Sequence, residues 1–137
     1  MAKSKTNKNY TYAIGRRKSS SARVRLFKGS GDNLINGKKI EEIYNNKVAS
    51  IILTKPFKLI DAVNKYFFTA KVTGGGKEGQ IEAIVHGIAR ALVKLDPDKF
   101  RTILKKNNLL TRDPRVRLRR MVGTGGKARR KKQSPKR

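Results

Sequence analysis

Chemistry needs particular side chains within reach of one another, and this sequence holds few of the usual candidates. His86 is the single histidine, cysteine is absent, and nine carboxylates are spread over 137 residues. A catalytic histidine needs a nucleophile or a second acid–base group beside it, and a metal needs further ligands. Neither set can be assembled here, so the reading is no enzyme, no metal and no cofactor. His86 is taken as a helix-surface residue meeting solvent or RNA, and Gly87 as a packing position. Gly74-Gly75-Gly76-Lys77-Glu78-Gly79 spells G-x-G-x-x-G, with Asp96 20 residues beyond Gly76. That imitates a dinucleotide fingerprint. The fingerprint puts its acid at the end of a second parallel strand, whereas Asp96 falls between two helical patterns. Glu78 after the lysine also excludes a Walker loop. What remains is a glycine turn feeding a helix start, where free N–H groups beside Lys77 can hold an RNA phosphate.

Cations supply the stronger pattern. Arg16, Arg17, Lys18 and Arg23 stand among the three serines of GRRKSSSAR, and guanidinium, ammonium and hydroxyl groups all bind phosphates. From Arg112 to Arg137 there are 12 basic residues and one acid, Asp113. The sites expected to meet RNA are Arg112, Arg115, Arg117, Arg119, Arg120, Lys127, Arg129, Arg130, Lys131 and Lys132. Gly123, Gly125 and Gly126 let backbone pass close to a ligand. If half of these cations reach phosphates, affinity falls roughly a thousandfold between about 50 and 200 mM salt. Over the whole chain 35 Lys and Arg face 9 acids, a formal charge of +26. Such self-repulsion calls for a polyanion.

The classes that remain are narrow. Without cysteine there is no disulfide framework or thiolate. The first residues have no apolar core of a secretory signal and are a poor transit peptide. No apolar run approaches the ~20 residues of a membrane span, so no membrane and no small-molecule substrate are expected. There is no Trp, and aromatics are missing from 70 to 99 and from the tail. Base stacking is therefore a minor term, and recognition by shape and phosphate fits best. A histone-like compactor of DNA is the rival of another class.

Periodicity assigns these residues to strands and helices. Tyr10, Tyr12 and Ile14 share one face of a strand, which the stretch 15–22 breaks. A second strand carries Val24 and Leu26 or Phe27, with Arg23 and Arg25 on its opposite face. After the turn 29–33, Leu34–Gly37 is a short strand, and the three are read as an antiparallel meander. Two helical stretches follow, KKIEEIYNNK and VASIILTKPFKLIDAV, the second interrupted at Pro56. Phe68, Ala70 and Val72 mark one side of a further strand. Ile81, Ile84, Val85, Ile88, Ala89, Leu92 and Val93 form an apolar helical stripe, with Arg90 nearly opposite. In the last helix Asp96 is the N-cap, Pro97 the first residue, and Phe100, Ile103 and Leu104 face inward. The expected layout is a loose segment 1–9, a globular domain 10–111 and a basic tail 112–137. That tail could extend on the order of 90 Å from a body of ~13 Å radius of gyration. Its charge argues for disorder until a partner is met.

YAIGRRKSSSARV, ING, TGGGKEGQIEAIVHGIARAL, LLTRDPR and the closing KAR…Q…KR occur in that order. This series resembles the bacterial-type small-subunit ribosomal protein S-nine family over almost the whole chain. The resemblance implies an α/β (α+β, two-layer) fold: a small mixed sheet packed by helices, similar to the second domain of ribosomal protein S-five, with a left-handed crossover. It implies a structural place in the head of the small ribosomal subunit, on its ribosomal RNA and beside neighbouring head proteins. The tail would reach the anticodon stem-loop of the peptidyl-site tRNA with Lys136 and Arg137. Where the family commonly has Glu-Arg-Lys-Lys, this chain reads Arg117-Leu118-Arg119-Arg120. Its Gln-Phe-Ser-Lys-Arg ending is here Gln133-Ser134-Pro135-Lys136-Arg137. The implied location is a ribosome in a bacterium or organelle. Frequent Lys, Asn and Ile lean weakly toward plastid-encoded.

Overall fold

A computed structural model describes residues 9–123. Two long strands, β1 (Tyr10–Arg17) and β2 (Ser20–Lys28), form a hairpin, followed by β3 (Leu34–Ile35), β4 (Lys38–Lys39), α1 (Ile40–Ile43) and α2 (Lys47–Leu59). Then come β5 (Tyr66–Thr73), α3 (Lys77–Leu95) and α4 (Pro97–Lys106). The break expected over 15–22 shrinks to two residues: Arg17 pairs with Ser20, and Lys18 takes the turn at φ 51°.

The sheet runs β1-β2-β5-β3-β4. It is therefore not the consecutive meander expected from the first three strands. β5 offers eight residues and pairs antiparallel with β2 from Ser21↔Thr73 to Lys28↔Tyr66. β3, with two residues, cannot compete for that edge and lies parallel to β5 on its far side. Two asparagines lengthen this short pairing by imitating backbone. Asn33 Oδ1 accepts from Phe68 N–H at 3.0 Å, and Asn36 Oδ1 from Val72 N–H at 2.8 Å.

Alternation along the three long strands divides the sheet's faces. Ala13, Ala22, Val24, Leu26, Phe68, Ala70 and Val72 are buried under the helices. Ile84, Ile88 and Leu92 of α3 meet them, each wholly excluded from water. Helix and strand come unusually close where Gly15 faces Ala83 and Gly87. A Cβ on Gly15 would lie 1.9 Å from the Ala83 carbonyl oxygen and 2.3 Å from Gly87 N. Gly87 is the packing position the sequence suggested.

Three expectations for the helices change. Lys38–Lys39 join β4, leaving only a single helical turn in α1. α2 runs through Pro56 without interruption, its turns held by the burial of Leu53, Pro56 and Phe57. Asp96 does precede α4, but its side chain makes no capping hydrogen bond, and Ile103 is exposed while Leu104 is buried.

The outer edge of β1 would present unpaired backbone groups, a hazard in any sheet. α3 covers it with His86, Arg90 and Lys94, one helical residue in four. Arg16 N–H donates to His86 Nδ1 at 3.2 Å, Arg90 Nη1 donates to the Ile14 carbonyl, and Lys94 Nζ donates to the Tyr12 carbonyl at 3.0 Å. Four helical residues rise about 6.0 Å and two strand residues about 6.8 Å, so the two periods stay in step along this seam.

Candidate nucleic-acid interface

The predicted cations fall into two groups that differ in what surrounds them. The first gathers around Arg17. Its Nε donates to Glu82, Nη1 donates to the Arg115 carbonyl at 2.8 Å, and Nη2 lies 3.2 Å from Asp113 Oδ2. Asp113 also binds Arg115, whose backbone N–H and Nε each reach Oδ1 at 3.0 Å. Hydrogen bonds from the Arg115 side chain hold the Asp113 carboxyl far below the usual carboxylate range. The hairpin thus grips the segment that leads into the basic run.

The glycine turn arrives at the same place. Gly74 and Gly75 adopt φ of 75° and 66°, and the Gly74 carbonyl accepts from Ser20 Oγ and from Gln80 Nε2, both at 3.1 Å. A Cβ on Gly75 would lie 2.0 Å from the buried Ser20 hydroxyl, so this position needs glycine for space as well as for φ. Gly76 precedes α3, and Lys77 and Lys18 are exposed. Arg16–Lys18, Gly74–Lys77 and Arg112–Arg115, three segments far apart in sequence, therefore meet at one end of the domain.

His86 belongs to this assembly: it is half-buried rather than lying on the helix surface, and both ring nitrogens meet partners within the chain. Its Nδ1 accepts from Arg16 N–H, so Nε2 carries the proton and donates to the Leu110 carbonyl at 3.2 Å. Burial, the largest influence, lowers its pKa below 6.5. The neutral ring ties β1, α3 and the chain after α4 together. The sequence marked His86 as unique but gave no sign of partners 70 and 24 residues away.

The second group lies on the sheet face that no helix covers. The strand registers set four rows across β1, β2 and β5: Tyr10–Phe27–Phe67, Tyr12–Arg25–Thr69, Ile14–Arg23–Lys71 and Arg16–Ser21–Thr73. Phe27 and Phe67 stack at 4.9 Å, and the Arg25 guanidinium lies 5.2 Å from the centre of the Tyr10 ring. Arg16, Arg23, Arg25 and Lys71 are exposed. No acid occurs in these three strands, and among the described residues the ion pairs involve other cations. A groove across this face is lined by Tyr12, Arg23, Arg25, Asn36, Thr69 and Lys71. Of the four cations, the sequence reading chose Arg16 and Arg23. Arg25 and Lys71 were within reach of it, since each alternates with buried apolar residues.

Beyond Leu110 the described chain has no regular structure, and Arg112, Arg117, Arg119 and Arg120 are exposed. Lys127, Arg129, Arg130, Lys131, Lys132, Lys136 and Arg137 lie outside the described residues. Among the described residues no group of His, Asp and Glu could hold a metal ion, and no helix is long and apolar enough to cross a membrane.

A small mixed α/β domain with one cationic sheet face and a basic continuation is a protein built to meet a polyanion. The comparisons with known proteins name the class more closely. Residues 15–137 match the family described as Ribosomal protein S9/S16. The chain is 43% identical over 120 residues to the small ribosomal subunit protein uS9 of Maridesulfovibrio salexigens, covering 88% of this chain and 92% of that one. It is 44% identical over 113 residues to the protein of that name from Anaeromyxobacter sp. strain K, covering 82% and 86%. With the one from Leifsonia xyli subsp. xyli it shares 44% identity over 125 residues, covering 91% and 74%. The chain belongs to the ribosomal protein S9/S16 family, whose members are structural and not enzymatic.

Proposed function

We propose that this protein is a structural constituent of the small ribosomal subunit's head. There it binds small-subunit ribosomal RNA through its domain and basic tail. At the end of the tail Lys136 and Arg137 contact the anticodon stem-loop of the peptidyl-site tRNA. The observation that carries this reading is the family match, which runs through the closing residues as well as the body. The clustering of Arg16–Lys18, Gly74–Lys77 and Arg112–Arg115 supports a common RNA-facing end, with exposed Lys18 and Lys77 beside the start of α3. Its partners are then the ribosomal RNA, the tRNA and neighbouring head proteins. The relatives named above are bacterial, and nothing among them favours a plastid, so the proposed setting is a bacterial-type ribosome.

The test is removal of Lys136 and Arg137 from the full chain, followed by reconstitution of subunits. Expected is near-normal assembly with peptidyl-site tRNA affinity lowered about tenfold, equivalent to about 1.4 kcal/mol. Unchanged tRNA affinity would overturn the role of the tip. A preference of the protein for duplex DNA over structured ribosomal RNA at matched salt would favour a histone-like compactor.

A further inference from the structure

We infer that the uncovered sheet face is itself an RNA-binding surface, on which the sugar–phosphate backbone lies across β1, β2 and β5 and is held by Arg23, Arg25 and Lys71. The inference rests on the reading of the protein as a binder of structured ribosomal RNA and adds a surface that the tail and hairpin tip do not include.

Three observations point to a polyanion here. The register sets Arg23 directly opposite Lys71 on adjacent strands, with Arg25 two residues along the same face. Like charges in directly opposed positions destabilise a sheet, and this face carries no carboxylate to relieve them. The ion pairs of Arg17, Lys39 and Arg115 show that acids are available elsewhere in the molecule, yet none is placed here. Finally, same-face residues of one strand stand about 6.8 Å apart, on the scale at which phosphates succeed one another along RNA. Arg23 and Arg25 can therefore engage neighbouring phosphates while Lys71 reaches one of them from β5. Tyr12, exposed on β1 opposite Arg25, offers a ring to a sugar or an unpaired base, and Thr69 a hydroxyl. Arg25 is already steered by the Tyr10 ring beneath its guanidinium. An acidic protein could meet the same charge, but a regular cationic lattice whose apolar neighbours Ile14, Phe27 and Phe67 are half-buried suits a repeating backbone better.

The experiment compares the full-length protein with two charge-matched triple variants, R23Q/R25Q/K71Q and R101Q/K105Q/K106Q. The second neutralises exposed cations of α4. Each is titrated with a transcript of small-subunit ribosomal RNA and with duplex DNA of equal length over a range of salt, after circular dichroism confirms folding. Each phosphate contact contributes about 0.7 to 0.9 to the slope of log affinity against log salt. The sheet variant should lose about 2 to 3 in slope and more than tenfold in affinity at about 150 mM salt, the α4 variant far less. If the parent prefers the transcript and the sheet variant binds as the α4 variant does, the sheet inference is overturned while the ribosomal reading stands. If the parent shows no preference for the transcript, both fail together.

Discussion

The two faces of one sheet are built from the same strands on opposite rules. Under the helices stand small and apolar side chains: Ala13, Gly15, Ala22, Val24 and Ala70, set so close to α3 that a methyl group at Gly15 has no room. On the open side the alternate positions hold Tyr12, Arg23, Arg25 and Lys71, large, exposed and uniformly cationic where charged. One face is specified by exclusion of volume and water. The other is left with a charge conflict that the isolated domain does not resolve. The contrast separates what holds the domain together from what it offers a partner.

Breaking the covered face should have the largest effect. Gly15→Val forces a branched side chain against the Ala83 carbonyl and should cost about 3 kcal/mol or more. Ser21→Val on the open face should stay within about 0.5 kcal/mol. Urea unfolding of both variants checks the asymmetry, and equal losses would erase it.

The seam along β1 should come next. His86→Ala removes two hydrogen bonds and leaves Arg16 N–H and the Leu110 carbonyl short of partners, a loss of about 2 kcal/mol. The parent should also be pH-sensitive. Because folding lowers the His86 pKa, the folded state disfavours the proton that the unfolded chain takes up near 6.5. Stability from the neutral ring is complete above that value and declines as pH falls below it, by at most about 1.4 kcal/mol per unit. Denaturation curves between pH 7.5 and 5 should show this decline in the parent and its absence in His86→Ala.

The smallest effect sharpens the open face. Lys71→Glu turns the Arg23–Lys71 opposition into a favourable pair and should stabilise the free protein by about 0.5 kcal/mol at low salt, fading as salt rises. A variant that folds better and binds RNA worse would show that the cations are retained for a partner. A destabilised Lys71→Glu would mean the like-charge opposition costs nothing.

Several parts of this arrangement were legible in the residues alone. The alternation Val24/Leu26 against Arg23/Arg25 fixes both faces of β2, and the stripe from Ile81 to Leu92 fixes the inward side of α3. These readings work because side-chain direction follows directly from backbone geometry. Pro56 misled because local propensity forbids it within a helix while tertiary burial tolerates it. β3 misled because sequential strands usually pair, whereas here the longer β5 takes the available edge. The G-x-G-x-x-G match is set aside in the sequence because Asp96 falls between two helical patterns, and Asp96 does lie between α3 and α4.

The order of residues alone sets the helical and strand periods, the excess of positive charge and the family to which the chain belongs. Those properties are local or additive, and they survive without knowledge of distant partners. Which cations are engaged and which are offered emerges with folding. Arg17 and Arg23 read alike in the chain, yet Arg17 is held by groups 65 and 98 residues away, and Arg23 stands on a face without acids. The fate of a charge depends on what folding brings within a few ångströms of it, and sequence spacing carries no record of that distance.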